Sequence, residues 1–254
     1  MIPFRNLAET RTPDGSRFSL HEHDGEYFLK LNGRQLMGSN NTISECLLAD
    51  LACDFSMPVD SPRILIGGLG LGFSLRRVLE LTGPKAAVQV AELLPEVVAW
   101  NRQFLSGLNG KLLDDPRVGI FAGDVFECIR RGPAKFDAIL LDVDNGPTSF
   151  VQSKNSRLYT GNGLSLIRRA LRPGGRVAFW SAEREPAFTG QLARAGFVAT
   201  EFEAKAHERA KRAAHRIYVG VPRPFSAFSS MMCSSSSTDS SISEIVGPSG
   251  ELDR

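Results

Sequence analysis

The fold is decided by the stretch Ile64-Leu65-Ile66-Gly67-Gly68-Leu69-Gly70-Leu71-Gly72. Its branched apolar residues predict a buried strand, and its glycines predict a tight turn into a helix that begins near Phe73. Glycine at every second position leaves no Cβ where a nucleotide-like ligand approaches such a turn, and the following helix offers free N–H groups. The spacing Gly-x-Gly-x-Gly differs from the Gly-x-Gly-x-x-Gly of dinucleotide sites, and the Gly-Lys-Ser/Thr of a phosphate-binding P-loop is absent.

Three acidic residues follow apolar strands downstream of this turn. They are Glu92 after residues 87–91, Asp124 after residues 118–122 and Asp142 at the end of residues 138–142. Because ligands of open α/β sheets bind at the carboxyl ends of the strands, we expect the three acids and the glycine turn to line one crevice. Structural roles are the alternative, with Asp124 as a helix N-cap and with Asp142 and Asp144 as turn formers in Asp-Val-Asp-Asn-Gly-Pro.

These features together resemble a class I S-adenosylmethionine-dependent methyltransferase domain, and they are most similar to its spermidine synthase-like branch. Residues 66–72 stand where that branch carries Gly-Gly-Gly-Asp-Gly-Gly, and Gly-Asp-Val-Phe-Glu at 123–127 resembles its Gly-Asp-Gly-Phe-Glu. Asp-Val-Asp at 142–144 stands where the branch carries Asp-Ser-Ser-Asp-Pro. Phe-Asp-Ala-Ile-Leu-Leu-Asp at 136–142 and Leu-Arg-Pro-Gly-Gly at 171–175 complete the likeness.

The resemblance covers roughly residues 15 to 220 and implies an α/β, Rossmann-like methyltransferase fold. Such a fold has a mostly parallel seven-stranded sheet that ends in an antiparallel hairpin. A small N-terminal β-hairpin extension is predicted from the alternating residues 16–37 with Asp24-Gly25 and Asn32-Gly33 turns, followed by a helix at 41–53. The predicted strands lie near 63–67, 87–91, 118–122, 138–142, 176–181, 198–203 and 215–220. The expected divisions are an extension at 1–55, a donor-binding domain at 56–225 and a tail at 226–254.

The resemblance also implies a binding site for S-adenosylmethionine or its decarboxylated form. The implied donor-binding residues are Gly67, Gly68, Gly70, Gly72, Glu92, Gly123, Asp124 and Asp142. Within this set, Glu92 would hold the ribose and Asp124 the adenine amino group. Asp142 and Asp144 are the candidates for the catalytic step, in which the acceptor is oriented or deprotonated.

Two further residues are expected at the acceptor. Gln35 and Glu45 lie in the segment where members of the branch carry their polyamine-binding residues, and they are the two residues of this segment that resemble them. Tyr159 is the other candidate for the acceptor pocket, although it could equally staple the start of the next helix.

The identity of the transferred group depends on Gly70. In the aminopropyltransferases of the branch, an acid at this position helps to grip the aminopropyl amine, and glycine here would leave room for the methionine carboxylate of the intact donor. We therefore expect methyl transfer to a small amine or hydroxyl acceptor. Aminopropyl transfer to a polyamine from decarboxylated S-adenosylmethionine is the alternative, and a cofactor-binding module without catalysis is the second alternative.

Composition agrees with a cytoplasmic enzyme. With 254 residues, 42% of them hydrophobic, the chain can bury a full core. No apolar run approaches the roughly twenty residues of a membrane helix, and no secretory signal is recognisable at the N-terminus. The four cysteines lack a Cys-x-x-Cys pair and indicate free thiols. His21 and His23 share one face of a strand, but the sequence supplies no partners for them, so no metal site is expected.

Two segments, the serine-rich C-terminal stretch and a basic run, bear on which partners the chain could bind. Ten of the eighteen residues from 226 to 243 are serine, which predicts a disordered tail. The basic run 205–216 is interpreted as a solvated connection between two strands, because it lacks the interleaved aromatic residues of a nucleic-acid surface. A small-molecule acceptor is therefore the expected partner, with neither membrane nor nucleic acid, and a homodimer is left open.

Overall fold

Two β-sheets organise the computed structural model, which describes residues 3–55, 58–143, 153–205 and 213–224. The first sheet has four antiparallel strands in the order β1-β2-β3-β4. These strands are β1 (Arg5–Arg11), β2 (Arg17–His23), β3 (Glu26–Leu31) and β4 (Arg34–Gly38). The predicted N-terminal hairpin is therefore part of a larger sheet.

The turns of this first sheet use the predicted dipeptides. Asp24 and Asn32 have φ angles of 52° and 49°, and each is followed by a glycine of positive φ. Two successive residues of this kind form the two-residue turn whose twist matches a β-hairpin, so β2, β3 and β4 are tightly joined. Strand β1 is not predicted from the sequence, because Arg-Asn-Leu-Ala-Glu-Thr-Arg contains few of the β-branched and aromatic residues that are typical of a strand.

The second sheet has seven strands in the order β10-β11-β9-β8-β5-β6-β7. They are β5 (Arg63–Gly67), β6 (Ala87–Glu92), β7 (Val118–Ala122), β8 (Phe136–Leu141), β9 (Leu171–Ser181), β10 (Phe197–Lys205) and β11 (Ala213–Pro222). Strands β5 to β9 are parallel, and β11 runs antiparallel to both of its neighbours. The expected Rossmann-like sheet with an antiparallel terminal hairpin is confirmed.

Helices cover both faces of this sheet. They are α1 (Ile43–Cys53), α2 (Phe73–Leu81), α3 (Pro95–Gln103), α4 (Ser106–Asn109), α5 (Val125–Arg130), α6 (Gly161–Ala170) and α7 (Phe188–Arg194). Ile64 and Ile66 of β5 pack in one core with Leu48 of α1, whereas Leu65 packs in the opposite core with Ile167 of α6. Because β5 is covered on both faces, all three of its central residues are apolar.

One strand begins earlier than predicted. Leu171 pairs with Phe136, and the register then shifts before Arg176 pairs with Ala138. The segment Leu-Arg-Pro-Gly-Gly is therefore an irregular start of β9, although its proline and glycines predict a loop before a strand at 176–181.

Several predicted features lie outside the described residues. These are Asp144, residues 206–212 of the basic run and the serine-rich segment 226–254. Within the described ranges, no helix has the length and apolar character needed to span a membrane.

Candidate active site

The strand order of the large sheet reverses next to β5, with β6 on one side and β8 on the other. A crevice opens at such a reversal, beyond the carboxyl ends of the strands. A pocket occupies this position, and the first sheet and α1 contribute to its walls. Its polar and glycine lining comprises Thr12, Glu45, Gly68, Gly70, Glu92, Gly123, Asp124, Asp142 and Asn155. Its apolar lining includes Phe18, Leu29, Leu36, Met37, Leu94, Val97, Val143 and Trp180.

The glycine turn approaches the pocket so closely that side chains are excluded from it. Gly68 and Gly70 have φ angles of 90° and 51°, in the left-handed region that favours glycine. A Cβ atom on Gly68 would lie 2.4 Å from the carbonyl oxygen of Asp142, and one on Gly70 would lie 2.9 Å from Sδ of Met37. The turn and the end of β8 are thus in contact through backbone atoms.

Gly67 and Gly72 belong to the same turn but are not among the residues that line the pocket. Gly67 ends β5 with its Cα facing Val125 and Leu141, and a Cβ there would lie 2.9 Å from Cγ2 of Val125. Gly72 precedes α2 at a φ of 90°. These two glycines allow close packing of the turn, while Gly68 and Gly70 face the ligand space.

The main-chain N–H groups of the turn already have acceptors. Gly68 N–H donates to the carbonyl of Ala91 at 2.9 Å, and Gly72 N–H donates to the carbonyl of Leu69 at 2.8 Å. Leu71 N–H donates to Sδ of Met37 at 3.4 Å.

The remaining two N–H groups of the turn are directed to Glu92. Leu69 N–H donates to its Oε2 at 2.8 Å, and the backbone N–H of Gly70 favours the charged form of this carboxylate.

Glu92 anchors the turn to the end of β6. Its other oxygen, Oε1, accepts a hydrogen bond from Leu94 N–H at 2.9 Å. Burial raises the pKa of Glu92, and the backbone hydrogen bonds counteract that rise by favouring the charged form. A buried carboxylate therefore lies in the pocket where the sequence places a ribose ligand, and its contact with a ribose stays a prediction.

Asp124 has the structural role weighed above and also faces the pocket. Its Oδ1 accepts a hydrogen bond from Phe126 N–H at 2.8 Å, which caps the N-terminus of α5. Its Oδ2 forms a close ion pair with Arg157. Gly123 lies beside it against the ring of Phe121. The N-cap interpretation is confirmed, and binding of a nucleoside at this position stays a prediction.

Asp142 and Glu45 form the other acidic part of the site. Glu45 is a buried residue of α1, and its Oε2 accepts a hydrogen bond from Ser44 Oγ at 2.7 Å. Burial, together with the negative charge of Glu45, raises the pKa of Asp142 to about 8. Burial also raises the pKa of Glu45. The pair therefore holds a proton readily near neutral pH unless a cation binds beside it.

The pocket is rich in acidic side chains. Four carboxyl groups line it, those of Glu45, Glu92, Asp124 and Asp142. Among the described residues that line it, none is lysine, arginine or histidine. Arg157 is the nearby cation, and it is engaged with Asp124. Such a pocket favours a ligand that carries positive charge.

The two predicted acceptor residues lie away from the described pocket lining. Gln35 is an exposed residue of β4. Tyr159 is buried, and its ring lies 5.9 and 5.8 Å from the rings of Phe179 and Phe188. Neither is brought to the pocket together with Asp142 in this structure, so a role in acceptor binding stays a prediction.

Sequence reasoning missed Met37 and Arg157 as residues of the site. Met37 comes from a strand of the N-terminal sheet, far in sequence from the turn that it contacts. Arg157 could have been sought as a cation for Asp124, but no spacing in the sequence links the two residues. Both residues reach the site through tertiary contacts, which local sequence patterns do not predict.

Known proteins resemble this chain in sequence and fold. Residues 54–195 match the family described as "Spermine/spermidine synthase domain". Polyamine aminopropyltransferase 2 of Pseudomonas aeruginosa is 36% identical over 129 residues, which are 49% of this chain and 35% of that protein. Polyamine aminopropyltransferase 1 of Streptomyces coelicolor is 30% identical over 149 residues, or 56% of this chain and 27% of that protein.

The fold is also found in solved structures. The structure titled "Crystal Structure of Spermidine Synthase in Complex with Transition State Analogue AdoDATO" has a TM-score of 0.62 at 20% identity. The superposition covers 85% of this chain and 72% of that one. The match to the two curated relatives spans about a third or less of their length. Since the family match covers more than half of the chain, this protein belongs to the spermine/spermidine synthase family, a branch of the S-adenosylmethionine-dependent methyltransferase-like superfamily.

Proposed function

We propose that this chain transfers an aminopropyl group from decarboxylated S-adenosylmethionine to an amine acceptor. The observation that carries the proposal is the acidic lining of the pocket, which has four carboxyl groups and no basic side chain among its described lining residues. Family membership supports the same reaction, as does the similarity to the two polyamine aminopropyltransferases. Aminopropyl transfer therefore replaces methyl transfer as the preferred function.

Charge distinguishes the two donors. Intact S-adenosylmethionine carries a carboxylate beside its ammonium and sulfonium, whereas the decarboxylated donor carries only the two cationic groups. Two like charges about 4 Å apart repel by roughly 1 kcal/mol in water and by about 4 kcal/mol in a partly enclosed site. A carboxylate would meet such repulsion from each ionised group among Glu45, Glu92 and Asp142, whereas a cationic group would be attracted and would favour their ionisation.

Met37 lies beside Gly70, where the intact donor would need room for its carboxylate. The space above Gly70 holds the thioether of Met37, whose Sδ would lie 2.9 Å from a Cβ atom at this glycine. The N–H groups that could have received a carboxylate at the turn are bonded to Glu92, Met37 and main-chain carbonyls. Gly70 therefore gives no support to methyl transfer.

Asp142 is proposed as the proton acceptor of the reaction. The acceptor nitrogen attacks the aminopropyl carbon bound to sulfur, a C–N bond forms, and the C–S electron pair leaves with sulfur as neutral methylthioadenosine. The nitrogen must lose a proton, and Asp142 takes it. A base whose pKa is about 8 is well matched to this transfer, because general bases work best when their pKa lies near the working pH.

The other acids are proposed to bind and align the reactants. Glu92 would hold the ribose hydroxyls at the end of β6, and Asp124 with Gly123 would hold the adenine. Glu45 would attract the ammonium of the acceptor towards Asp142. Alignment of this kind lowers the barrier of an in-line displacement, because the two reactants are held in position before they react. Asp144 stays a candidate for the same task.

The proposal is tested by product analysis with defined substrates. Purified protein is incubated with decarboxylated S-adenosylmethionine and a panel of diamines and polyamines, and methylthioadenosine release is measured by chromatography. We expect release that depends on an amine and falls by about 10²-fold or more in Asp142→Asn, which keeps shape but not basicity. No amine-dependent release from a folded wild-type protein would contradict the proposal.

A further inference from the structure

Met37 links the N-terminal sheet to the glycine turn of the large sheet. It lies on β4 opposite Leu29 of β3, and its side chain is partly buried in the pocket wall. Its Sδ accepts a hydrogen bond from Leu71 N–H at 3.4 Å, a normal length for a sulfur acceptor. Its Sδ and Cε would lie 2.9 and 3.1 Å from a Cβ atom at Gly70. The thioether of Met37 thus fills the space beside Gly70 and accepts the hydrogen bond of Leu71 N–H.

The hydrogen bond from Leu71 N–H to Met37 matters because it leaves no main-chain N–H of the turn between Gly68 and Gly72 available to a ligand. The other N–H groups between Gly68 and Gly72 bond to Glu92 or to main-chain carbonyls. Without the Met37 side chain, Leu71 N–H would lose its acceptor beside Gly70 and would be free to donate to a small anionic group. A buried carboxylate needs donors of this kind, because removing it from water without hydrogen bonds is costly.

We propose that Met37 is the residue that selects against the carboxylate of intact S-adenosylmethionine, by filling the space above Gly70 and taking the Leu71 N–H. This inference rests on the proposed function, since it concerns the donor of that reaction. An uncharged thioether tolerates an aminopropyl chain by dispersion contact, but it offers a carboxylate neither a hydrogen-bond donor nor a positive charge.

The choice of Met37 for the test avoids a complication at Gly70. Any side chain at Gly70 would be strained by its φ of 51° and would contact Met37, so a variant there would not report on charge alone. Met37 lies in a strand, and it can be shortened or replaced without changing the turn residues. Met37→Ala opens the space and frees Leu71 N–H, whereas Met37→Leu keeps most of the volume.

The experiment measures dissociation constants for both donors by calorimetry, in wild type, Met37→Ala and Met37→Leu, with thermal unfolding to establish that each variant is folded. We expect wild type to bind the decarboxylated donor more tightly. In Met37→Ala, the affinity ratio should move by about tenfold towards the intact donor, a change of roughly 1.4 kcal/mol. In Met37→Leu, the ratio should stay within about threefold of wild type, because leucine still fills the space and keeps a carboxylate away from the freed Leu71 N–H.

The outcomes separate this inference from the function on which it rests. A wild-type protein that prefers the intact donor would overturn the proposed donor. A wild-type protein that prefers the decarboxylated donor, with a ratio unchanged in folded Met37→Ala, would overturn only the role of Met37. An equal shift in Met37→Leu and Met37→Ala would contradict space filling as the cause.

Discussion

Glu45 and Asp142 bring two carboxyl groups into one pocket, the first from helix α1 and the second from the end of β8. The two residues are almost one hundred positions apart in the chain, and the negative charge of Glu45 adds to burial in raising the pKa of Asp142 to about 8. Neither group has a basic partner among the described lining residues of the pocket. These two carboxyl groups therefore favour a cationic ligand, and Asp142 is proposed to take up a proton.

The protonation of Asp142 predicts how stability depends on pH. Because its pKa is about 8 when folded and near 3.8 in an ordinary setting, the folded protein binds more protons than the unfolded chain between these values. The free energy of unfolding should thus fall as pH rises from about 4 to 8. The raised pKa values of Glu45 and Glu92 act in the same direction.

Asp142→Asn should remove part of this dependence. Its melting temperature is expected to exceed that of wild type by more at pH 8 than at pH 5, since asparagine needs no charge to be buried. Thermal unfolding of the ligand-free proteins at the two pH values measures the difference. A gain or loss of equal size at both pH values would show that Asp142 is not titrating in this window.

Glu45→Gln should change the activity profile through Asp142. Removing the negative charge lowers the pKa of Asp142, so the acidic limb of kcat/KM should move to lower pH. The acceptor KM should rise, because glutamine keeps the shape of the side chain and not its attraction for an ammonium. Profiles at saturating donor measure both effects. An unmoved acidic limb, with normal folding, would mean that the two carboxyl groups are not coupled.

Glu92→Ala should weaken nucleoside binding. The carboxylate orders the turn through Leu69 N–H and Leu94 N–H and is proposed to hold a ribose. Loss of charged hydrogen bonds costs roughly 1.5–3 kcal/mol, or about tenfold or more in affinity. Calorimetry with methylthioadenosine measures the loss, and Glu80→Ala, which removes an exposed acid of α2, is the control. Unchanged affinity in Glu92→Ala would remove the ribose assignment.

Two substitutions at Asp124 separate its cap from its binding role. Asp124→Ala loses the hydrogen bond from Phe126 N–H, which should cost about 1 kcal/mol and lower the melting temperature by about 2–4 °C. Asp124→Asn keeps a good N-cap but loses the ion pair with Arg157, so it should melt between Asp124→Ala and wild type. If Asp124 accepts the adenine amino group, both variants should bind methylthioadenosine more weakly. Normal binding by Asp124→Asn would leave Asp124 a cap alone.

The sequence predicts the fold and the acidic residues because parallel strands end at one edge of a sheet. Glu92, Asp124 and Asp142 each follow an apolar strand, so their meeting in one pocket follows from the topology. The glycine spacing likewise predicts where backbone approaches ligand, and Gly68 and Gly70 line the pocket. The strand-end acids and the glycine spacing are local sequence features, and the order of the strands brings them together in one pocket.

Contacts between the two sheets could not be predicted in this way. Met37 reaches Gly70 because the N-terminal sheet packs over the crevice, and no periodicity in the sequence encodes that packing. The Met37 contact weakens the reason to favour the intact donor, and room for its carboxylate beside Gly70 stays a prediction. Tyr159 similarly precedes α6 at the expected place, but its ring is packed in the core against Phe179 and Phe188.

Donor competition tests the central claim most directly. Wild-type protein is given equal concentrations of S-adenosylmethionine and decarboxylated S-adenosylmethionine with an amine that supports turnover, and both nucleoside products are quantified. Aminopropyl transfer releases methylthioadenosine, whereas methyl transfer releases S-adenosylhomocysteine. The acidic lining of the pocket predicts methylthioadenosine as the main product, in at least tenfold excess. S-adenosylhomocysteine as the main product would contradict aminopropyl transfer as the function of this chain.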